Sequence, residues 1–183
     1  MELYNKIINI VDVNIIFCLF PLILTLIVIE LVFRNKFKTK QVLNLIRWII
    51  IVYTIITLLH FLVGITLFSD EFDFINRATG PYKLIYWLVL FSSTILPFTL
   101  LIKRLATKML YVLFIGVFMK LGFYFERFVI IIISFHRDYV PDNWSFKMFN
   151  FPMGTFLMAF LQGFIFAILL VFFFELKERK RNI

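Results

Sequence analysis

Charge is scarce in this 183-residue chain. Only 16% of its residues are charged, where soluble domains carry about 25%. Too few polar side chains exist to cover the surface of a water-soluble globule, and a mean hydropathy of +0.97 points the same way. There is one cysteine, Cys18, set inside an apolar run, so an internal disulfide is excluded. No cysteine cluster, glycine-rich phosphate loop or metal-ligand spacing occurs. The two histidines, His60 and His136, fall at different expected depths, so haem held by both is not expected. Ser92-Ser93-Thr94 stands without a base nearby in sequence, so nucleophilic catalysis has no support. Acidic residues are fewer than basic ones, 11 against 19, giving a net charge of +8. That surplus is no sign of nucleic-acid binding, because most Lys and Arg lie at the ends of apolar runs, where membrane topology accounts for them.

Long apolar runs are what the chain has in abundance. A bilayer core of about 30 Å needs roughly 20 apolar residues per helix. Five runs meet that length, at about residues 14–33, 42–68, 84–102, 109–135 and 151–174. The N-terminal stretch has neither a basic cluster nor a small-x-small cleavage site, so the first run reads as an uncleaved anchor. Pro21 is expected to kink it. Loops after the first, third and fifth runs are net positive; those after the second and fourth are not. The positive-inside rule then puts the N-terminus outside and the C-terminus inside. The expectation is an all-α integral membrane protein: a single transmembrane domain over residues 1–183 with about five helices, four-helix-bundle-like with one extra. Tyr82, Tyr86, Trp87, Tyr139 and Trp144 fit an interfacial aromatic belt.

An ionisable group in hydrocarbon costs a few kcal/mol, so each one needs a partner or a water-filled site. Glu30 and Arg47 fall at equal depth in an antiparallel hairpin and read as a structural ion pair, although Arg47 could also snorkel. His60, Glu126 and Arg127 share a depth in the outer half of the membrane. Lys120 lies near the middle of the fourth run, the costliest depth for a lone charge. Two readings of His60, Lys120, Glu126 and Arg127 stand side by side: a polar or proton-conducting network, or a set of interhelical pairs that fix packing in a larger assembly. After the fourth run, His136-Arg137-Asp138 enters the headgroup region, Pro141 stops the helix, and Asp142-Asn143 suits a turn. That cap would form a docking surface; an ordinary helix end followed by a turn accounts for it equally well.

Several of these residues together resemble a known family. Arg77-Ala78-Thr79-Gly80-Pro81-Tyr82, then Tyr86-Trp87, Glu126-Arg127-Phe128-Val129-Ile130, and His136-Arg137-Asp138-Tyr139-Val140-Pro141 with Trp144 are similar to NrfD-like polysulfide reductase membrane subunits. Their nearest counterpart is the membrane subunit of alternative complex III, a quinol:cytochrome c oxidoreductase. The corresponding pattern there reads T-G-P-Y, E-R-F-V-I and H-R-D-F-L-P-S-S-W. This chain departs from it at Tyr139-Val140 and Asp142-Asn143. The resemblance covers about residues 77–144. It implies a subunit of a quinol-oxidising respiratory complex in a bacterial inner membrane, or alternatively an organellar inner membrane. No prosthetic group is implied for this chain itself, and quinol or quinone belongs to the complex. The implied partners are further membrane subunits, iron–sulfur and cytochrome subunits, and the bilayer. A full-length member has two four-helix bundles; this chain resembles the second half only, so it is expected to be a split half or a reduced paralogue. The family's quinol-site residues are expected mainly in the other half; the candidate network in this chain, read from depth along the runs, is His60, Lys120, Glu126 and Arg127, with Arg77, His136, Arg137, Asp138 and Trp144 as a candidate outer docking segment. A purely structural or assembly subunit, or a small transporter, is the alternative.

Overall fold

Leucine, isoleucine and phenylalanine fill nearly every turn of the long runs. With no water to satisfy backbone groups in a bilayer, such runs are driven to be helices. The computed structural model describes residues 2–33, 36–67, 74–135 and 154–181. Among them there are helices and turns and no strand. In chain order the helices are α1 (Glu2–Val11), α2 (Leu19–Phe33), α3 (Thr39–Leu67), α4 (Phe74–Thr79), α5 (Lys83–Thr94), α6 (Lys103–Ala106), α7 (Met109–Phe118), α8 (Leu121–Phe135) and α9 (Gly154–Arg181). A π-helical turn at Asp12–Ile16 precedes α2, and a 3-10 segment at Leu96–Leu101 follows α5. Among the described residues, four helical stretches are long and apolar enough to cross a membrane: Lys6–Phe33, Thr39–Leu67, Lys83–Leu101 and Leu157–Lys180.

Several boundaries differ from those read off the sequence, each for a local reason. The first helix starts at Glu2, well before residue 14, because Lys6 and Asp12 interrupt the apolar run without breaking the helical backbone. Pro21 follows an interruption of the helix, made of the π turn and a turn at Phe17–Cys18. It sits in the first turn of α2, where its missing N–H costs nothing, behind the π turn. Pro97 converts the end of the third run to 3-10 geometry, since proline cannot donate to the carbonyl four residues back. The fifth run extends to Arg181, because the segment after Phe174 is rich in Glu, Lys and Arg, which are strong helix formers.

The fourth run shows the largest difference. Residues 109–135 were expected as one span; they form α7 and α8, separated by a turn at Met119–Lys120. The Met119 N–H still reaches the Ile115 carbonyl at 2.9 Å, but the Lys120 N–H falls back on Val117 at 3.2 Å. Ending the helix there frees Lys120 to reach a polar partner.

The contacts of the chain group it into two units. One comprises Met1–Val42 with Gly122–Ile183, the other Leu43–Leu121. In the first, α2 and α9 run side by side in the same direction. Gln162 of α9 lies by Asn14 and Cys18, and, further on, Glu175 and Glu178 lie by Lys38. The buried stripe Leu19, Leu22, Ile23 and Leu26 meets Ala167 and Val171. The helices meet tightly at Gly163: a Cβ built there would lie 2.6 Å from Pro21 Cγ and 2.7 Å from the Cys18 carbonyl oxygen. In the second unit, Leu43, Ile46, Ile50 and Tyr53 line the buried face of α3, and Leu100, Val112 and Ile115 contribute to the same core. The outer faces are just as apolar: Val28, Leu31, Val52, Leu59 and Phe172 are all half or more exposed. Helices apolar on every side have the composition of membrane spans.

Candidate functional site

Polar groups inside apolar helices are where the chemistry of such a chain must lie, and each unit holds its own set. In the unit Leu43–Leu121, Arg47 is 9% exposed. Its Nε donates to the Leu100 carbonyl at 2.7 Å and its Nη2 to the Leu101 carbonyl at 3.3 Å. Nη1 donates to Asn44 Oδ1 at 3.3 Å. Leu100 and Leu101 end the 3-10 segment, and the last carbonyls of a helix lack intrahelical donors. Arg47 therefore caps a helix end across the unit, with its positive charge where the helix dipole is negative. Glu30, expected as its ion partner, lies in the other unit and accepts a hydrogen bond from the Thr39 hydroxyl. Depth counting finds charged partners; it does not see carbonyls exposed by a 3-10 end.

Lys120, in the turn between α7 and α8, donates to the Tyr53 hydroxyl at 2.6 Å. Its ammonium is 5.0 Å from the Tyr53 ring centre. That distance follows from the hydrogen bond at the ring's polar end, so the hydroxyl and not a cation–π contact holds it. Tyr53, Thr57 and His60 share a face of α3 at helical spacing, with His60 about 10 Å further along the axis at 1.5 Å per residue. The Thr57 hydroxyl is turned back to the Tyr53 and Thr54 carbonyls. Lys120, Tyr53 and His60 thus form a polar edge in one unit. Tyr53 was missed because a tyrosine in an apolar run reads as bulk; its spacing of seven from His60 was the available signal. Replacing Tyr53 with Phe is expected to lower resistance to unfolding in mixed detergent by about 1–3 kcal/mol, the range for a hydrogen bond to a charged group. An SDS titration followed by circular dichroism checks this.

In the other unit, Glu126 is exposed on α8, flanked by exposed Phe125 and Phe128. Arg127 follows it in the same helix. A second polar set sits where α2 meets α9. The Cys18 thiol approaches Gln162 Oε1 at 3.5 Å, and Gln162 Nε2 donates to Asn14 Oδ1 at 3.3 Å. Cys18 is fully buried. The Tyr124 hydroxyl is also buried, on a helix where Phe123 stacks on Phe17 at 3.9 Å between ring centres. Sequence reasoning did not single out Asn14, Tyr124 or Gln162, because uncharged polar residues in a long apolar run raise no topological alarm.

The Thr79-Gly80-Pro81-Tyr82 stretch is accounted for locally. A Cβ on Gly80 would strike the Asn76 carbonyl oxygen at 2.6 Å, so only glycine lets α4 end this tightly before α5. The Lys83 N–H closes the turn on the Gly80 carbonyl at 3.1 Å, and Trp87 Nε1 donates to the Ala78 carbonyl at 3.2 Å. Phe74 packs edge-on against both Tyr86 and Trp87. Arg77 is exposed near the end of α4. The Ser92, Ser93 and Thr94 hydroxyls all donate to carbonyls of their own helix. His136, Arg137, Asp138 and Trp144 lie outside the described residues, as do Tyr139, Pro141, Asp142 and Asn143. Among the described residues, no group of three His, Cys, Asp or Glu side chains is placed to hold a metal ion.

Comparison of the chain with family models, curated proteins and solved structures finds no match.

Proposed function

We propose that this chain is a membrane subunit of a quinol-oxidising respiratory electron-transfer complex, either one half of a split subunit or a reduced paralogue. In this reading it has about five spans, with its N-terminus outside and C-terminus inside, in a bacterial inner membrane. It contributes a helix bundle, an outer docking surface and a proton path, while quinol and the redox centres belong to the assembly. The reading rests on the quoted stretches between Arg77 and Trp144. The observation that carries it is Glu126: an exposed carboxylate between exposed phenylalanines on an apolar helix. A carboxylate at membrane depth calls for a cation, water or a hydrogen-bond donor. A second membrane subunit that covers α8 supplies one, and Arg127 beside it would complete a polar pair at that interface.

The test is quinol turnover by the intact purified complex carrying Glu126→Gln or Arg127→Ala. Turnover is expected to fall by about tenfold or more, the lower range for loss of a proton-transfer group. Wild-type turnover in an intact complex contradicts a direct role.

A second reading, an assembly subunit without redox participation, is favoured by the bonding of Arg47 and Lys120. Both hold their own unit together through Leu100, Leu101 and Tyr53. Under this reading the same substitutions lower the amount of complex and leave turnover per complex unchanged.

A further inference from the structure

Beyond Gly163, α2 and α9 line a groove of about 600 Å³. Its walls include Thr25, Ile29 and Phe33 from one side and Ile168 and Phe172 from the other. The volume lies in the roughly 300–1,000 Å³ range of small-ligand sites. The walls are almost wholly apolar, and polarity is confined to one end, where Glu175 and Arg179 line the groove. An amphiphile with a chain in the groove and a headgroup at that end matches this division.

The charge at that end selects the headgroup. Lys36, Lys38, Lys40, Lys177, Arg179 and Lys180 cluster there in sequence against Glu30, Glu175 and Glu178. All three carboxylates are already engaged within the unit. Glu30 accepts from the Thr39 hydroxyl, Glu175 Oε1 accepts from the Lys38 N–H at 3.1 Å, and Glu178 pairs with the Lys38 ammonium at 3.0 Å. Of the basic side chains only Lys38 is used in that ion pair, while Lys36, Lys40, Lys177, Arg179 and Lys180 are exposed. The mouth of the groove is therefore positive and faces the headgroup layer, where anionic lipid is attracted to basic clusters. Arg179 sits at the boundary between the apolar walls and this cluster, and its planar fork suits a phosphate.

We propose that the α2–α9 groove is a binding site for an anionic phospholipid, with one acyl chain along Ile29, Ile168 and Phe172 and the phosphate at Arg179. The proposal uses neither Glu126 nor Lys120 and does not depend on the electron-transfer reading.

The experiment uses the full-length protein, purified in mild detergent with whatever chains accompany it. It is titrated with phosphatidylglycerol and, separately, with phosphatidylcholine, and retained lipid is counted by native mass spectrometry. Phosphatidylglycerol is expected to be retained about fivefold over phosphatidylcholine, the preference one basic contact supplies. Arg179→Gln, at an exposed position where folding is not at stake, should bring that ratio close to one without changing phosphatidylcholine retention. Ile168→Trp, which fills the groove, should lower retention of both lipids. Equal retention of the two lipids by the unaltered protein overturns the proposal. So does an unchanged preference in Arg179→Gln, or an isoprenoid quinone that displaces phosphatidylglycerol.

Discussion

Gly163→Leu is expected to abolish the packing of α2 on α9. Lipid tails are as apolar as leucine, so burial of apolar surface does not drive these helices together; close packing and interhelical hydrogen bonds do. At Gly163 the two helices are in tight contact. Even a single methyl group there would lie 2.6 Å from Pro21 Cγ, 2.7 Å from the Cys18 carbonyl oxygen and 3.0 Å from the Leu22 nitrogen. Two of those three atoms are backbone, and the third belongs to a proline ring, so none can rotate away. The helices must separate. Separation also breaks the contacts Gln162 makes with Cys18 and Asn14. Overpacking commonly costs about 1–3 kcal/mol; Gly163→Ala is expected at the upper end and Gly163→Leu beyond it. Unfolding in mixed detergent should show the loss. Leu169→Ala, at a site 56% exposed on the same helix, should stay within about 0.5 kcal/mol of the unaltered protein.

Arg47→Met is expected to be the most damaging change in the other unit. The methionine matches the stem of the arginine in bulk, so the effect reports on lost donors and not on a cavity. Two carbonyls, of Leu100 and Leu101, lose the donors that cap them. Each unsatisfied buried group costs about 1–3 kcal/mol, which puts the total at roughly 2–5 kcal/mol. Arg47→Lys should recover little of this, because one compact ammonium cannot reproduce a fork that spans two carbonyls and Asn44. Thermal unfolding of the two variants in the same detergent separates these outcomes. Equal stability of Arg47→Lys and the unaltered protein would show that charge alone is what the site needs.

The helices were legible in the sequence, and so was their fitness to cross a membrane, because runs such as the one containing Ile49, Ile50 and Ile51 are long and almost wholly apolar. Lys38, in the basic loop after the first run, meets Glu175 and Glu178 near the end of the fifth, at one end of their unit. What sequence did not reveal follows from physics that apolar periodicity does not encode. The turn at Met119–Lys120 carries no proline; it is set by a lysine reaching a tyrosine 67 positions earlier. Two of the three acceptors named for Arg47 are backbone carbonyls, which have no letter in the sequence. The importance of Gly163 was invisible because one glycine in an apolar run signals nothing until the neighbouring backbone is known. The Glu126-Arg127 pair was legible as an anomaly, and the exposure of Glu126 on α8 sharpens the anomaly into a demand for a partner.

The central claim is that this chain works inside a quinol-oxidising assembly. It is tested most directly by purifying the tagged full-length chain from its own membrane in mild detergent and measuring quinol-dependent reduction of a cytochrome acceptor across the eluted fractions. The account predicts that the activity follows the chain, together with iron–sulfur and cytochrome subunits and a second multi-helix chain. Elution of the chain in quantity, with quinol oxidation left entirely in other fractions, would contradict it.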